Sequence, residues 1–180
     1  MLKKFIPDYY YDDISKIDIE VLKKGGYKAV ICDLDNTLDC HETKTPSQNA
    51  LLFLDKLKTH GFTLCVISNG KEERVKKYLS GLDIPYIAKA GKPLKKSYLS
   101  ALKTIGFTTN ETVFIGDQIF TDVWGANRLG IATVLVEPIK SYENAFFYIK
   151  RALEKIVKSK ITKEWFDVQV SRRNKKSRRC

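Results

Sequence analysis

The sequence predicts an α/β fold built on a parallel sheet of about five strands with helices on both faces. Three observations predict it. Short apolar runs recur at residues 29–32, 63–67, 112–115 and 133–136; stretches with apolar side chains at helical spacing separate them; and polar side chains gather just where the runs end. Alternation of strand and helix is what a sheet with helical crossovers produces.

Taken in order, residues 1–26 form an N-terminal extension marked by Tyr9-Tyr10-Tyr11 and by a break at Gly25-Gly26, and its role is left open. Ala29-Val30-Ile31-Cys32 is continuously apolar, as a strand buried on both faces is. Residues 46–59 place Leu51, Leu54 and Leu57 on one helical face, and residues 63–67 give the second strand. Residues 71–79 read as a helix with Glu72 and Glu73 near its N-terminus, where the macrodipole favours them. Tyr86-Ile87-Ala88 is a short strand, 94–105 and 122–129 are helices, and 112–115 and 133–136 are the last strands. Residues 27–139 thus account for a single domain.

Chemistry-bearing residues fall at the ends of these strands. Asp33-Leu34-Asp35-Asn36-Thr37 follows the first run, and side-chain alternation makes Asp33 and Asp35 project the same way as the strand ends. Two close carboxylates can bind a divalent cation through oxygen, or divide nucleophile and acid/base work. The second run ends in Ser68-Asn69-Gly70, a loop carries Ala90-Gly91-Lys92-Pro93, and the 112–115 run leads into Gly116-Asp117 and on to Asp122. Each piece alone also reads as an ordinary capped turn, a helix cap or a surface lysine. Their order is what argues against coincidence: acid pair, hydroxyl, lysine, acid pair, at the sheet edge where open α/β sheets bind ligands.

That order resembles the four motifs of the haloacid dehalogenase (HAD) superfamily phosphatases, over residues 27 to 139. The long stretch Gly116-Asp-Gln-Ile-Phe-Thr-Asp-Val-Trp-Gly-Ala-Asn-Arg-Leu-Gly130, the opening Phe5-Ile6-Pro7-Asp8 and the closing Val136-Glu137-Pro138-Ile139 are similar to the capless, subfamily IIIA, YqeG-type branch, itself similar to phosphatidylglycerophosphate phosphatases. One departure is Gly70, where a second asparagine is expected. The resemblance implies a Rossmann-like HAD fold without a cap domain and a hydrolase working through an aspartyl-phosphate. It implies Asp33 as nucleophile and Asp35 as proton donor and acceptor. Mg2+ would be held by Asp33, Asp35 through its backbone carbonyl, and Asp117. Thr37, Ser68, Asn69 and Lys92 would bind the substrate phosphate, with Asp122 supporting Lys92 or a metal-bound water. Only 31 positions separate Thr37 from Ser68 and 24 separate Ser68 from Lys92, too few for an inserted lid. Superfamily members similar in this respect have open sites that accept large substrates.

Composition narrows the partners. The chain has 180 residues, 43% of them hydrophobic, which suffices for one domain with a core. No apolar stretch is long enough to span a bilayer and the N-terminus turns polar early, so a cytoplasmic protein is expected. Cys32, Cys40, Cys65 and Cys180 show no metal-site spacing, and neither a disulfide framework nor zinc is indicated. His41 and His60 read as solvent-exposed.

The net charge of +11 is uneven: residues 1–139 carry 19 basic and 17 acidic side chains, residues 140–180 carry 13 and 4. Residues 140–170 form a helical region in which Phe146, Ile149, Leu153, Ile156 and Val157 recur at helical spacing, read as a stripe packed on the domain in preference to a membrane-surface helix. Residues 171–180, with six basic side chains and no acid, are expected to be disordered unless an anionic partner orders them. The expected substrate is a lipid phosphate such as phosphatidylglycerophosphate, met by peripheral contact at the inner face of the membrane. The alternatives are a soluble or protein phosphoester, and a nucleic-acid or ribosome partner for the basic end.

Overall fold

The computed structural model describes residues 2–139; the helical region and basic tail expected over 140–180 lie outside them. Six strands form one sheet: β1 (Tyr9–Tyr11), β2 (Ala29–Asp33), β3 (Thr63–Ile67), β4 (Tyr86–Ile87), β5 (Thr112–Gly116) and β6 (Ala132–Val136). Their order is β1-β6-β5-β2-β3-β4, and every pairing is parallel. The helices are α1 (Ile19–Lys24), α2 (Gln48–Thr59), α3 (Glu72–Tyr78), α4 (Lys95–Ile105) and α5 (Trp124–Asn127).

Strand alternation divides the core in two. Val30 and Cys32 of β2, Leu64 and Val66 of β3, and Val113 and Ile115 of β5 face α1, α2 and α3, where Leu22, Phe53, Leu54, Leu57, Val75 and Tyr78 meet them. Ala29, Ile31, Cys65, Ile67 and Phe114 face the other way, onto Tyr98, Ala101, Leu102 and Ile105 of α4 and Ala126 of α5. Both faces of the central strands are covered, which is why their sequences are apolar without interruption. Cys32 and Cys65 lie buried in these strands as small apolar side chains. Ser47 caps α2 by accepting from the Ala50 amide at 3.2 Å, and Asp18 caps α1 by accepting from Glu20 and Val21.

The sheet has one strand more than the periodicity suggests. The extra strand comes from the N-terminal extension, where Tyr9 and Tyr11 pair in register with Val134 and Val136. Three tyrosines carry no run long enough to announce a strand, and the pairing is made 125 residues downstream. The same region is fastened elsewhere: the Asp8 carboxylate accepts from the Thr133 amide at 2.9 Å, Asn127 Nδ2 donates to the Ile6 carbonyl at 2.9 Å, and Phe5 stacks on Trp124 with ring centroids 5.7 Å apart. Ile14, Ile17, Ile19 and Leu22 are all buried in the first core.

A second difference concerns residues 122–129, expected as one helix. A π-helical turn over Ile119–Val123 precedes the short α5. It turns Asp122 inward, where its Oδ2 accepts from the Gln118 amide at 3.0 Å; such single wide turns recur at functional sites.

Candidate active site

The loops after β2, β3, β4 and β5 meet at the carboxyl edge of the sheet and bring Asp33, Asp35, Thr37, Ser68, Asn69, Lys92, Asp117 and Asp122 together. Parallel strands all deliver their ends to one edge, so residues far apart in sequence converge there. The β2 loop folds back on itself: Asn36, at φ 65°, donates its amide to the Asp39 carbonyl, and its own carbonyl accepts from the Ile139 amide at 3.1 Å.

Lys92 occupies the centre. Its Nζ lies 2.6 Å from Asp33 Oδ1 and 2.8 Å from Asp122 Oδ1, and all three side chains are nearly sealed from solvent. Burial works to lower the lysine's pKa, but Asp122 and Asp33 outweigh it and hold the group above the usual lysine range, so it stays charged. Burial pushes the Asp33 carboxyl up to about 7, with Lys92 opposing and Asp122 and Asp35 adding to the rise. Thr37 Oγ1 stands between two carboxylates, 3.5 Å from Asp33 Oδ2 and 3.3 Å from Asp117 Oδ1.

Asp33, Asp117 and Asp122 offer one oxygen each within 4.8 Å of one another, all buried. Three buried carboxylates facing the Lys92 ammonium carry an excess of negative charge that a divalent cation would balance, and an all-oxygen donor set suits a hard ion such as Mg2+. The residues therefore fit a metal. The Asp35 carboxylate stands outside this cluster. Its Oδ2 accepts from the Ser68 hydroxyl at 2.8 Å, and its Oδ1 lies 2.7 Å from the Arg74 guanidinium and 3.2 Å from His41 Nδ1. The two carboxylates of the 33–37 segment thus have separate partners: one set is buried around Lys92, the other faces the site mouth.

Asn69, expected beside the phosphate, has both ends of its amide engaged by Lys92. Its Oδ1 accepts from the Lys92 amide at 2.7 Å and its Nδ2 donates to the Lys92 carbonyl at 3.2 Å, so it positions the lysine. Gly70 donates its amide to Ser68 Oγ at 2.9 Å, and a Cβ there would come within 3.0 Å of that hydroxyl, crowding the contact with Asp35. At Gly116 a Cβ would meet Asp122 at 2.6 Å. Only a glycine at the end of β5 admits that carboxylate.

Two site features escape the sequence reading. Asp39 accepts from the Ser47 amide at 2.9 Å and from the Tyr78 hydroxyl at 2.5 Å, pinning the β2 loop to α2 and α3. Arg74 of α3, to which the sequence assigns no role, lies against Asp35, and His41, expected to be solvent-exposed, is exposed yet lies against the same carboxylate. A signal for Arg74 exists: residues 1–139 hold only two arginines, Arg74 and Arg128, among 19 basic side chains. Both make contacts that suit a planar fork, Arg74 with Asp35 and two carbonyls, Arg128 against the Trp124 ring at 4.0 Å.

Comparison with known proteins gives the family. The family described as HAD-hydrolase-like matches residues 89–138, the stretch holding Lys92, Asp117 and Asp122. The probable phosphatase YqeG of Bacillus subtilis (strain 168) is 36% identical over 165 residues, covering 91% of this chain and 96% of its own. Phosphatidylglycerophosphate phosphatase 1, chloroplastic/mitochondrial, of Arabidopsis thaliana is 29% identical over 150 residues, 78% of this chain but 43% of that one. Among solved structures, an uncharacterized protein from Listeria monocytogenes serotype 4b shares the fold with a TM-score of 0.54 at 22% identity, over 65% of this chain and 84% of that chain. The 36% identity to YqeG, across nearly the whole of both chains, identifies the protein as a member of the HAD superfamily of phosphatases, in the group of YqeG.

Proposed function

We propose that the protein is a magnesium-dependent phosphomonoesterase that works through an aspartyl-phosphate on Asp33 and acts on a phospholipid head group, phosphatidylglycerophosphate or a similar lipid phosphate. The observation that carries the chemistry is the buried Lys92 bridging Asp33 and Asp122 beside Asp117. When bound, Mg2+ offsets the repulsion between the Asp33 carboxylate and an anionic substrate. Asp33 attacks phosphorus, forming one P–O bond as the bond to the leaving alcohol breaks. Asp35, at the mouth of the site, gives that alcohol its proton and then takes one from the water that frees phosphate and restores Asp33. Lys92 holds the phosphoryl oxygens with its fixed charge, and Asp122 and Asn69 fix Lys92. Ser68 meets another oxygen. Positioned charges of this kind supply most of the catalysis in phosphoryl transfer.

The lipid assignment draws on the likeness to phosphatidylglycerophosphate phosphatase 1 and on the short intervals between the site segments. The span from Thr37 to Ser68 holds a loop, α2 and β3, and the span from Ser68 to Lys92 holds α3 and β4, so neither interval contains an inserted lid domain. The test is phosphate release from phosphatidylglycerophosphate in anionic vesicles and in detergent, against soluble phosphomonoesters, with and without a chelator. Chelator-sensitive release that favours the lipid supports the reading. Release from soluble or protein phosphoesters alone moves the substrate into solution, and tight RNA binding with no lipid turnover favours a nucleic-acid partner.

A further inference from the structure

Asp35 has both carboxylate oxygens engaged, and by different elements. Oδ2 accepts from the hydroxyl of Ser68, which follows β3, while Oδ1 lies 2.7 Å from Arg74 Nη2 of α3 and 3.2 Å from His41 Nδ1. A substrate would affect the two sides differently. In the mechanism above Ser68 turns to a phosphoryl oxygen, which releases Oδ2, whereas no step draws Arg74 away from Oδ1. Arg74 is itself fixed, its Nε donating to the His41 carbonyl at 2.8 Å and its Nη2 also to the Cys40 carbonyl at 3.3 Å. One planar fork thus ties α3 to the β2 loop at three oxygens, a geometry that an ammonium on a flexible stem reproduces poorly.

We propose that Arg74 is the positioning residue of Asp35, holding Oδ1 and thereby presenting Oδ2 to the leaving oxygen. The inference rests on the phosphatase reading, with Asp35 as proton donor. Oδ1 accepts from the guanidinium, so the transferable proton of Asp35 belongs on Oδ2. Oδ2 is also the oxygen on the side of Ser68, where the phosphoryl group would sit. As the P–O bond to the alcohol breaks, the Oδ2 proton passes to the alkoxide. The carboxylate left behind stays on Arg74, oriented to take a proton from the attacking water. Without Arg74 the carboxyl group is free to turn away from the reacting oxygen, and proton transfer loses its alignment.

The test uses the full-length protein with Mg2+ and compares kcat/KM for two substrates of unlike leaving group. In p-nitrophenyl phosphate the phenolate departs without a proton; in an alkyl phosphate the alkoxide needs one. The alkyl phosphate is glycerol 3-phosphate or, in detergent, phosphatidylglycerophosphate, whichever turns over faster. Because kcat/KM covers only the steps up to loss of the alcohol, the later use of Asp35 as a base does not enter. Arg74→Gln should lower kcat/KM for the alkyl phosphate on the order of tenfold or more, and that for p-nitrophenyl phosphate by no more than about threefold. Arg74→Lys, which returns a donor to Oδ1, should move the alkyl-to-aryl ratio back toward the unmodified value. Both rates are taken on one preparation, so a loss of folded protein cancels from the ratio, and a merely structural role would leave it unchanged. Equal losses on both substrates, no loss on either, or a gain on the alkyl phosphate overturns the role of Arg74. Asp35→Asn tells that failure from a failure of the mechanism: it should show the same selectivity more steeply, and without it Asp35 is not the proton donor. No phosphate release from any alkyl ester by the unmodified protein overturns the underlying reading of the function.

Discussion

In the proposed mechanism Asp33 is the nucleophile and Lys92 a fixed charge, and the two should respond differently to substitution. Asp33→Asn replaces the nucleophile with an amide and takes one carboxylate from the buried cluster, so phosphate release from an aryl phosphate should vanish while the circular dichroism spectrum keeps its shape. A folded Asp33→Asn variant with unmodified turnover would remove the aspartyl-phosphate mechanism. Lys92→Ala should slow turnover by about 10²–10³-fold, the usual scale for losing one transition-state charge partner. Lys95→Ala and Lys96→Ala, both exposed on α4, should change the rate little. Equal losses at all three would mean that the buried ammonium has no special part. Gly116 tests the packing beneath the chemistry: its Cβ would lie 2.6 Å from Asp122, so Gly116→Ala should cost about 1–3 kcal/mol in stability and displace the partner of Lys92. Thermal melting should fall by several degrees and activity should fall with it. The site residues were legible as types at strand ends, because strand termini converge whatever the details. Their pairings were not: nothing in residues 33–37 says that Asp33 turns toward Lys92 and Asp35 toward Arg74, since that depends on loop backbone such as Asn36 at φ 65°.

The first 26 residues belong to the sheet and core of the domain that carries the site. β1 closes one edge against β6, the Glu137 amide donates to the Tyr11 carbonyl, and Ile14, Ile17, Ile19 and Leu22 fill the core under α2. Burying those four side chains contributes about 1.5–3 kcal/mol each, which together rivals the 5–15 kcal/mol total stability of an ordinary domain. A chain beginning at residue 27 should therefore lose its cooperative thermal transition and its activity. A truncated protein melting within about 5 °C of the full chain would show that the extension is an accessory. The central elements were legible because β2, β3 and β5 are buried on both faces and read as apolar runs, and α2 and α4 have clear stripes. β1 was hidden because its evidence lies in β6. The 122–129 segment misled because a single π-helical turn, wider than an α-helical one, involves too few residues to disturb the apolar pattern, while in the structure it turns the Asp122 carboxylate inward onto the Gln118 amide.

At the scale of the whole molecule, charge separates the catalytic region from the rest of the chain. Nine of the eleven excess positive charges lie in residues 140–180, while residues 1–139 are close to neutral. Among the described residues no helix is long and apolar enough to cross a membrane. Each basic side chain near an anionic leaflet contributes on the order of 1 kcal/mol, and the attraction decays within a Debye length of about 8–10 Å at moderate salt. Six basic residues in 171–180 would then supply a binding energy that salt erodes, separately from the chemistry at Asp33. Removing residues 171–180 should lower turnover on anionic vesicles and weaken its salt dependence, with turnover of a soluble aryl phosphate unchanged. Both rates must be measured on the same preparation across a salt series, because a general loss of folded protein would lower them together. Turnover on vesicles that is indifferent to the tail and to salt would leave the charge asymmetry without a membrane role. Displacement of the full chain from vesicles by RNA at low salt, coupled with no lipid turnover, would assign the basic segment to nucleic acid.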